Sequence, residues 1–196
     1  MKKKLLGLLL TALLTMAVLS GCGSDGTGES SGEASSAESV GEAAYGGSVV
    51  VGVQQDIDSL DPHKATAAGT KEILFNIFEG LVKPDKNGDL MNAIASDYTV
   101  SGDGLVYTFT LRDGVKFHNG NAVTAEDVKY SLERASGLLD GTPLISSLSV
   151  ITSVEIPDEK TVQVTVSGAN TELIYSFTAA IIPAGSGEDE SGTPIG

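Results

Sequence analysis

The chain has 196 residues, with 12 Lys and Arg against 26 Asp and Glu and a formal net charge of −14. All three N-terminal lysines precede Cys22, so the part from Cys22 onward carries 9 basic and 26 acidic residues, or 9 − 26 = −17. That sign excludes nucleic acid and anionic lipid head groups as natural partners, and a single Cys excludes an intrachain disulfide.

Residues Met1 to Cys22 read MKKKLLGLLLTALLTMAVLSGC. Three lysines, an apolar run from Leu5 to Leu19 and small residues before the Cys make an export signal. The run is shorter than the ~20 apolar residues of a membrane-spanning helix. Signal residues 1–21 are therefore expected to be removed. Residues 22–45 are Gly, Ser, Ala and Glu with almost no large apolar side chain. Such a segment cannot bury enough surface to offset its ordering entropy, so a flexible tether is expected there.

The folded part is expected over residues 46–184. Ser48–Val53 reads as a buried strand, and Gln54–His63 leaves it as a loop. Ile73, Leu74, Ile77, Phe78 and Leu81 recur at helical spacing, which predicts a helix over Thr70–Glu79 with Gly80 as its C-terminal cap. Leu81-Val82 is a short strand, and Pro84–Gly88 is a turn. Between Leu105 and Leu111 apolar and polar residues alternate, the period of a half-buried strand. Asp113-Gly114 is a turn, Val115 and Phe117 resume the alternation, and Asn119-Gly120 ends it. Thr124 is the expected N-cap of a helix carrying Ala125, Val128, Leu132 and Ala135, with Asp127 completing a near capping box. Gly137–Ser149 is a loop or broken helix. Val150–Ile156 and Thr161–Val166 form a hairpin around Pro157–Lys160. Leu173–Phe177 and Ala179–Pro183 are short apolar elements, and residues 185–196 are an acidic tail.

Chemistry is sparse in this pattern. His63 and His118 lack metal-ligand spacing with each other, and no Cys completes a set, so no metal site is expected. Asp85–Asp89 (DKNGD) is a turn, because it lacks the length and closing Glu of a calcium loop. No nucleophile-elbow, Walker A or H-E-x-x-H motif is present, so no catalytic residue and no cofactor is assigned. One enzymatic reading stays open: an exported hydrolase using Asp56 and Asp58, if the first strand extends far enough to place both on one face.

The stretch Y-T-F-T-L-R-D-G-V-K-F-H-N-G followed by T-A-E-D-V-K-Y-S resembles the signature of the bacterial extracellular solute-binding proteins of family 5, the peptide, dipeptide and nickel receptors of ABC importers. S-L-D-P-H at residues 59–63, N-I-F-E-G-L-V at 76–82 and A-I-A-S-D-Y at 93–98 follow the same order. Tyr98 stands where that family often has Trp. Leu19-Ser20-Gly21-Cys22 resembles a lipobox, which implies acylation of Cys22 and a lipid anchor on the outer face of the membrane.

The resemblance implies a mixed α/β fold: a twisted sheet with flanking helices, lobe I of a type II periplasmic-binding-protein-like architecture. It covers about Gly46 to Gly196 and implies the N-terminal part of a longer, two-lobed receptor. It also implies a monomer that hands a solute to permease subunits. The expected solute is a peptide first, with a nickel chelate, an oligosaccharide or another small solute behind it. By the same resemblance the loop after S-L-D-P-H, Lys64–Gly69, lines the ligand cleft, and Thr66, Ala67 and Ala68 are the candidate ligand contacts.

Overall fold

A computed structural model describes residues 46–54, 56–188 and 195–196. The expected signal, the tether, Cys22 and most of the acidic tail lie outside these residues. In chain order the elements are helix α1 (Ala68–Phe75), strands β1 (Val82–Pro84), β2 (Leu90–Asn92), β3 (Ala95–Val100) and β4 (Val106–Leu111), helix α2 (Ala125–Ser136), and strands β5 (Ile151–Asp158) and β6 (Thr161–Val166). Short 3-10 segments occupy Ser146–Leu148, Thr171–Thr178 and Ser186–Glu188.

The fold is mixed α/β, and every strand pairing among the described residues is antiparallel. Four strands make the main sheet in the order β3-β4-β6-β5, and β1-β2 is a separate hairpin. The alternation in β4 sends Tyr107, Phe109 and Leu111 to the buried face. Across the ladder Phe109 faces Val162, and Tyr107 faces Val164. Val162, Val164 and Val166 continue that face along β6, and Ile151 and Val154 along β5. Helix α2 packs Val128, Leu132 and Ala135 into the same core. Phe177, from the 3-10 segment, closes it against Phe109 at a ring separation of 4.8 Å. Pro157 lies in β5, an edge strand, where its missing N–H costs no ladder bond; a register shift sits beside it.

Helix α2 begins and ends as its sequence dictates. The Asp127 N–H donates to Thr124 Oγ1, and the Thr124 N–H donates to Asp127 Oδ2 at 2.8 Å, a complete capping box. At the other end Gly137 adopts the left-handed conformation, φ +85°, with Pro143 packed so close that a Cβ would clash.

Three expectations are corrected. Ser48–Val53 is neither a strand nor buried: Val49, Val50 and Val51 are 87%, 96% and 73% exposed. β-branched residues favour a strand only when a neighbouring strand and a packed face exist, and no described residue supplies either. The first helix runs over Ala68–Phe75, not Thr70–Glu79. Asn76 ends it by donating from Nδ2 to the Glu72 carbonyl at 2.8 Å, while Phe78 turns on to bury itself. Gly80 is therefore no cap; its lack of a Cβ lets the backbone of Phe177 and Thr178 approach. Finally, Val115–Phe117 contributes only the single bridge Lys116–Ala122, although Phe117 is buried as its period required.

Candidate functional site

The segment S-L-D-P-H and the loop after it are organised by two carboxylates. Asp61 starts a turn in which its own carbonyl accepts from the N–H of Lys64 and of Ala65, at 3.1 and 3.0 Å. Its Oδ1 accepts from the His63 N–H at 3.0 Å. Asp58 Oδ2 accepts from the Thr66 N–H at 2.8 Å, the Thr66 hydroxyl at 2.7 Å and the Ala67 N–H at 3.0 Å. Ala67 is the N-cap of α1 and has no capping side chain, so Asp58 supplies a carboxylate at the positive end of that helix. These bonds, the Thr66 hydroxyl's first, together with the neighbouring Thr70 hydroxyl, which also accepts from the Asp58 N–H at 3.2 Å, hold the Asp58 carboxyl well below the usual carboxylate range.

Beneath the loop lies a buried ionic cluster. Arg134, in the last turn of α2, donates from NH1 to Asp61 Oδ1 at 3.1 Å and from NH2 to Asp61 Oδ2 at 2.5 Å. NH1 also reaches His63 Nδ1 at 2.9 Å, and NH2 the Gly187 carbonyl at 3.1 Å. His63 Nε2 lies 2.8 Å from the Ala180 carbonyl. A carbonyl cannot donate and a guanidinium cannot accept, so the geometry assigns one tautomer: Nε2 carries the proton and Nδ1 accepts. Burial favours this neutral ring and pushes the His63 pKa down, and the nearby guanidinium adds to the effect. For Asp61, burial opposes ionisation, but the bonds from Arg134 and from the His63 N–H outweigh it and the carboxyl sits below its ordinary value.

The polar side of α2 also holds the segment at 180–187. Ser131 Oγ accepts from the Ile182 N–H at 2.9 Å, and its one proton faces the Asp127 carbonyl of its own helix at 2.7 Å and the Ile182 carbonyl at 3.1 Å. Asp127 Oδ1 accepts from the Ala184 N–H at 2.8 Å, and the Tyr130 hydroxyl accepts from the Gly187 N–H at 3.2 Å. Residues 127, 130, 131 and 134 share one helical face. That face is a polar strip, which satisfies backbone groups that no sheet reaches.

Of the expected contacts, Thr66 is exposed, Ala67 half-buried, and Ala68 exposed as the first residue of α1. The open loop is thus Lys64–Ala67. Asp56 and Asp58 do not share a strand face, since no strand forms there. Asp85 accepts from the N–H of Asn87 and Asp89, at 2.7 and 3.0 Å, which is a turn. Among the described residues no group of three His, Cys, Asp or Glu side chains is placed to hold a metal ion. No spacing in the sequence marks the Asp61–His63–Arg134 cluster. Asp61 and Arg134 stand 73 positions apart. A lone Arg in the last turn of a helix reads as a partner of the helix dipole.

The sequence profile of the bacterial extracellular solute-binding proteins, family 5 middle region, matches residues 89–196. The glutathione-binding protein GsiB of Shigella boydii is 35% identical over 140 residues, covering 69% of this chain and 27% of its own length. Among solved structures, NikZ of Campylobacter jejuni, in complex with Ni(L-His), superposes with a TM-score of 0.62 at 28% identity, over 70% of this chain and 28% of that one. The murein tripeptide binding protein MppA of Escherichia coli superposes with a TM-score of 0.63 at 25% identity, over 74% and 33% of the two chains. The chain spans about a quarter of the length of the curated relatives it matches. On this footing the chain belongs to the bacterial extracellular solute-binding proteins of family 5.

Proposed function

We propose that this chain is part of the substrate-binding receptor of an ABC importer, capturing a peptide or a similar small solute outside the membrane and delivering it to permease subunits. The observation that carries the reading is the loop Lys64–Ala67, which exposes Lys64 and Thr66 while burying Ala65 and is seated on a buried ionic cluster and on the capped helix α2. The N–H groups of residues 64–67 are taken by Asp61 and Asp58, so this edge meets an extended solute with carbonyl oxygens rather than with N–H donors. Relatives that bind glutathione, a murein tripeptide and a nickel–histidine complex make an amino-acid-containing solute the preferred class. Thr66, Ala67 and Ala68 remain the proposed contacts. The receptor is monomeric and held to the membrane by acyl chains on Cys22.

The hydrolase alternative has little to draw on. Both ring nitrogens of His63 are spent in hydrogen bonds, and both oxygens of Asp61 are bound by Arg134. Asp58 already accepts three bonds on one oxygen. None of these groups is poised to move a substrate proton. The test is uptake of labelled di- to pentapeptides, glutathione and Ni(II)–histidine by cells with and without the gene. Uptake of at least one should be lost on deletion. Unaltered uptake of all of them, together with peptide cleavage by the purified protein, would establish the hydrolase instead.

A further inference from the structure

Arg134 joins three stretches that are distant in sequence: its own helix, the turn at Asp61–His63 and the backbone at Gly187. The helix end of this joint is rigid. α2 has a capping box and a left-handed Gly cap, and its apolar face is part of the main core. The loop end has little to hold it otherwise. Between Lys64 and Ala68 only Ala65 is buried, in a small cluster with Leu74, Phe78 and Ile182. A methyl group buries too little surface to fix a loop. The direction of the chain there follows instead from Asp61, on which the turn to Ala65 is built, and from Asp58, which takes the next two N–H groups.

We propose that Arg134 is a positioning residue for the solute-facing loop: through Asp61 and neutral His63 it fixes the course of Thr66–Ala68 against helix α2. This rests on the reading that the loop meets the solute. Four acceptors around one buried guanidinium leave it a single orientation, and a bidentate carboxylate fixes the plane of the group it binds. His63 completes the joint only while neutral, because a proton on Nδ1 would turn a donor toward the guanidinium. The ionised groups that reach this joint are Arg134 from α2, Asp61 from the loop itself and Lys64, which lies 3.7 Å from Asp61 on its exposed side. The segment at 180–187 offers it backbone carbonyls, those of Ala180 and Gly187.

The test is amide hydrogen exchange on the intact chain from about pH 5 to about pH 8, corrected for intrinsic exchange. The wild type should lose protection at residues 64–67 as the pH falls below 6.5, the ordinary value for His. His63→Gln, whose amide can accept from Arg134 and donate to Ala180, should keep the neutral-pH protection and lose the pH dependence. Arg134→Gln should speed exchange at 64–67 about tenfold or more at every pH, which is ~1.4 kcal/mol, with β4 and β6 unchanged. Arg134→Lys should recover only part of the protection, since an ammonium cannot span both oxygens of Asp61. If Arg134→Gln folds poorly, Asp61→Asn probes the joint from the other side and should show the same local loss. Wild-type exchange at 64–67 in Arg134→Gln and Asp61→Asn, equal acceleration throughout the sheet, or an unchanged pH profile in His63→Gln would each overturn the proposal. Uptake by cells carrying Arg134→Gln is measured in parallel. Tenfold faster loop exchange with normal uptake would leave Arg134 holding the loop and remove the loop from the solute site.

Discussion

Truncating Phe109 to Ala removes the ring at the centre of the main sheet. Phe109 has no exposed surface and sits in β4 between Tyr98 of β3 and Val162 of β6. Its ring meets that of Phe177 edge-on at 4.8 Å and that of Tyr98 at 5.9 Å. Aromatic-to-Ala changes in cores cost ~3–5 kcal/mol, because the transfer energy of the ring is lost and a cavity remains. Each aromatic pair carries ~0.5–1.5 kcal/mol beyond area, so with two pairs the upper half of that range applies. Thr110 is the control. It lies next in the same strand, exposed and opposite Thr161. Thr110→Ala should cost within the ~1 kcal/mol span of strand propensity. In urea melts with a slope of ~2 kcal/mol/M, Phe109→Ala should lower the midpoint by ~2 M and Thr110→Ala by less than ~0.5 M. Equal shifts in the two variants would mean that β4 does not bury one face and expose the other, and the account of the core would fall with it.

Gly80→Ala should destabilise by ~1–3 kcal/mol in the same melts, because a Cβ there would lie 2.5 Å from the Phe177 carbonyl oxygen and backbone would have to move. Acidification should weaken the fold in two windows. The folded pKa of His63 is below 6.5, so the unfolded chain takes the proton first; the stability is complete above pH 6.5 and is lost as the pH falls toward the folded value. Asp61 behaves likewise below pH 3.8, and His63→Gln should erase the upper window only, as read from urea midpoints against pH. Cys22→Ser should abolish fatty-acid labelling and release the protein or leave its signal uncleaved; a wild type that takes up no label and fractionates as soluble would remove the anchor. Calorimetry on residues 22–196 should find no peptide bound tighter than about millimolar if, as the two-lobed resemblance implies, this stretch supplies one side of the site, since each ~1.4 kcal/mol forfeited is tenfold in affinity. Micromolar binding would place the whole site within this stretch.

The centre of the fold was legible because its signals are local. Alternation across Tyr107–Leu111, the Thr124–Asp127 box and the β5–β6 hairpin each depend on residues within one or two turns or strands of each other. The misread elements depend on a neighbour. Ser48–Val53 has strand composition without a described strand to pair with. Gly80 resembles a cap but serves the approach of the Phe177 backbone. The helix before it stops at Asn76, whose side chain competes for a helical carbonyl in a way that apolar spacing does not register. The loop at Lys64–Ala67 is placed through resemblance, since nothing in its own four residues marks it as more than a turn. The cluster beneath it escaped entirely, because Asp61, His63 and Arg134 meet only after the sheet has brought α2 back beside the start of the fold.

This arrangement also explains why the cluster is ionic. A loop that offers its carbonyls to solvent cannot be held by large apolar side chains without burying the groups it presents. Hydrogen bonds to one buried side chain fix direction without adding bulk. A buried Arg costs several kcal/mol unless its charge and donors are matched, and here a carboxylate, an imidazole nitrogen and a carbonyl match them. Such a joint adds little net stability. Its consequence is geometric: the loop has one permitted course, and the Cβ that Gly187 lacks would occupy the space of the guanidinium that enforces it. Gly187→Ala should therefore loosen residues 64–67, at least 120 positions away in sequence, far more than it changes the protection of the main sheet. A uniform loss of protection would show that residue 187 supports the core and not the loop.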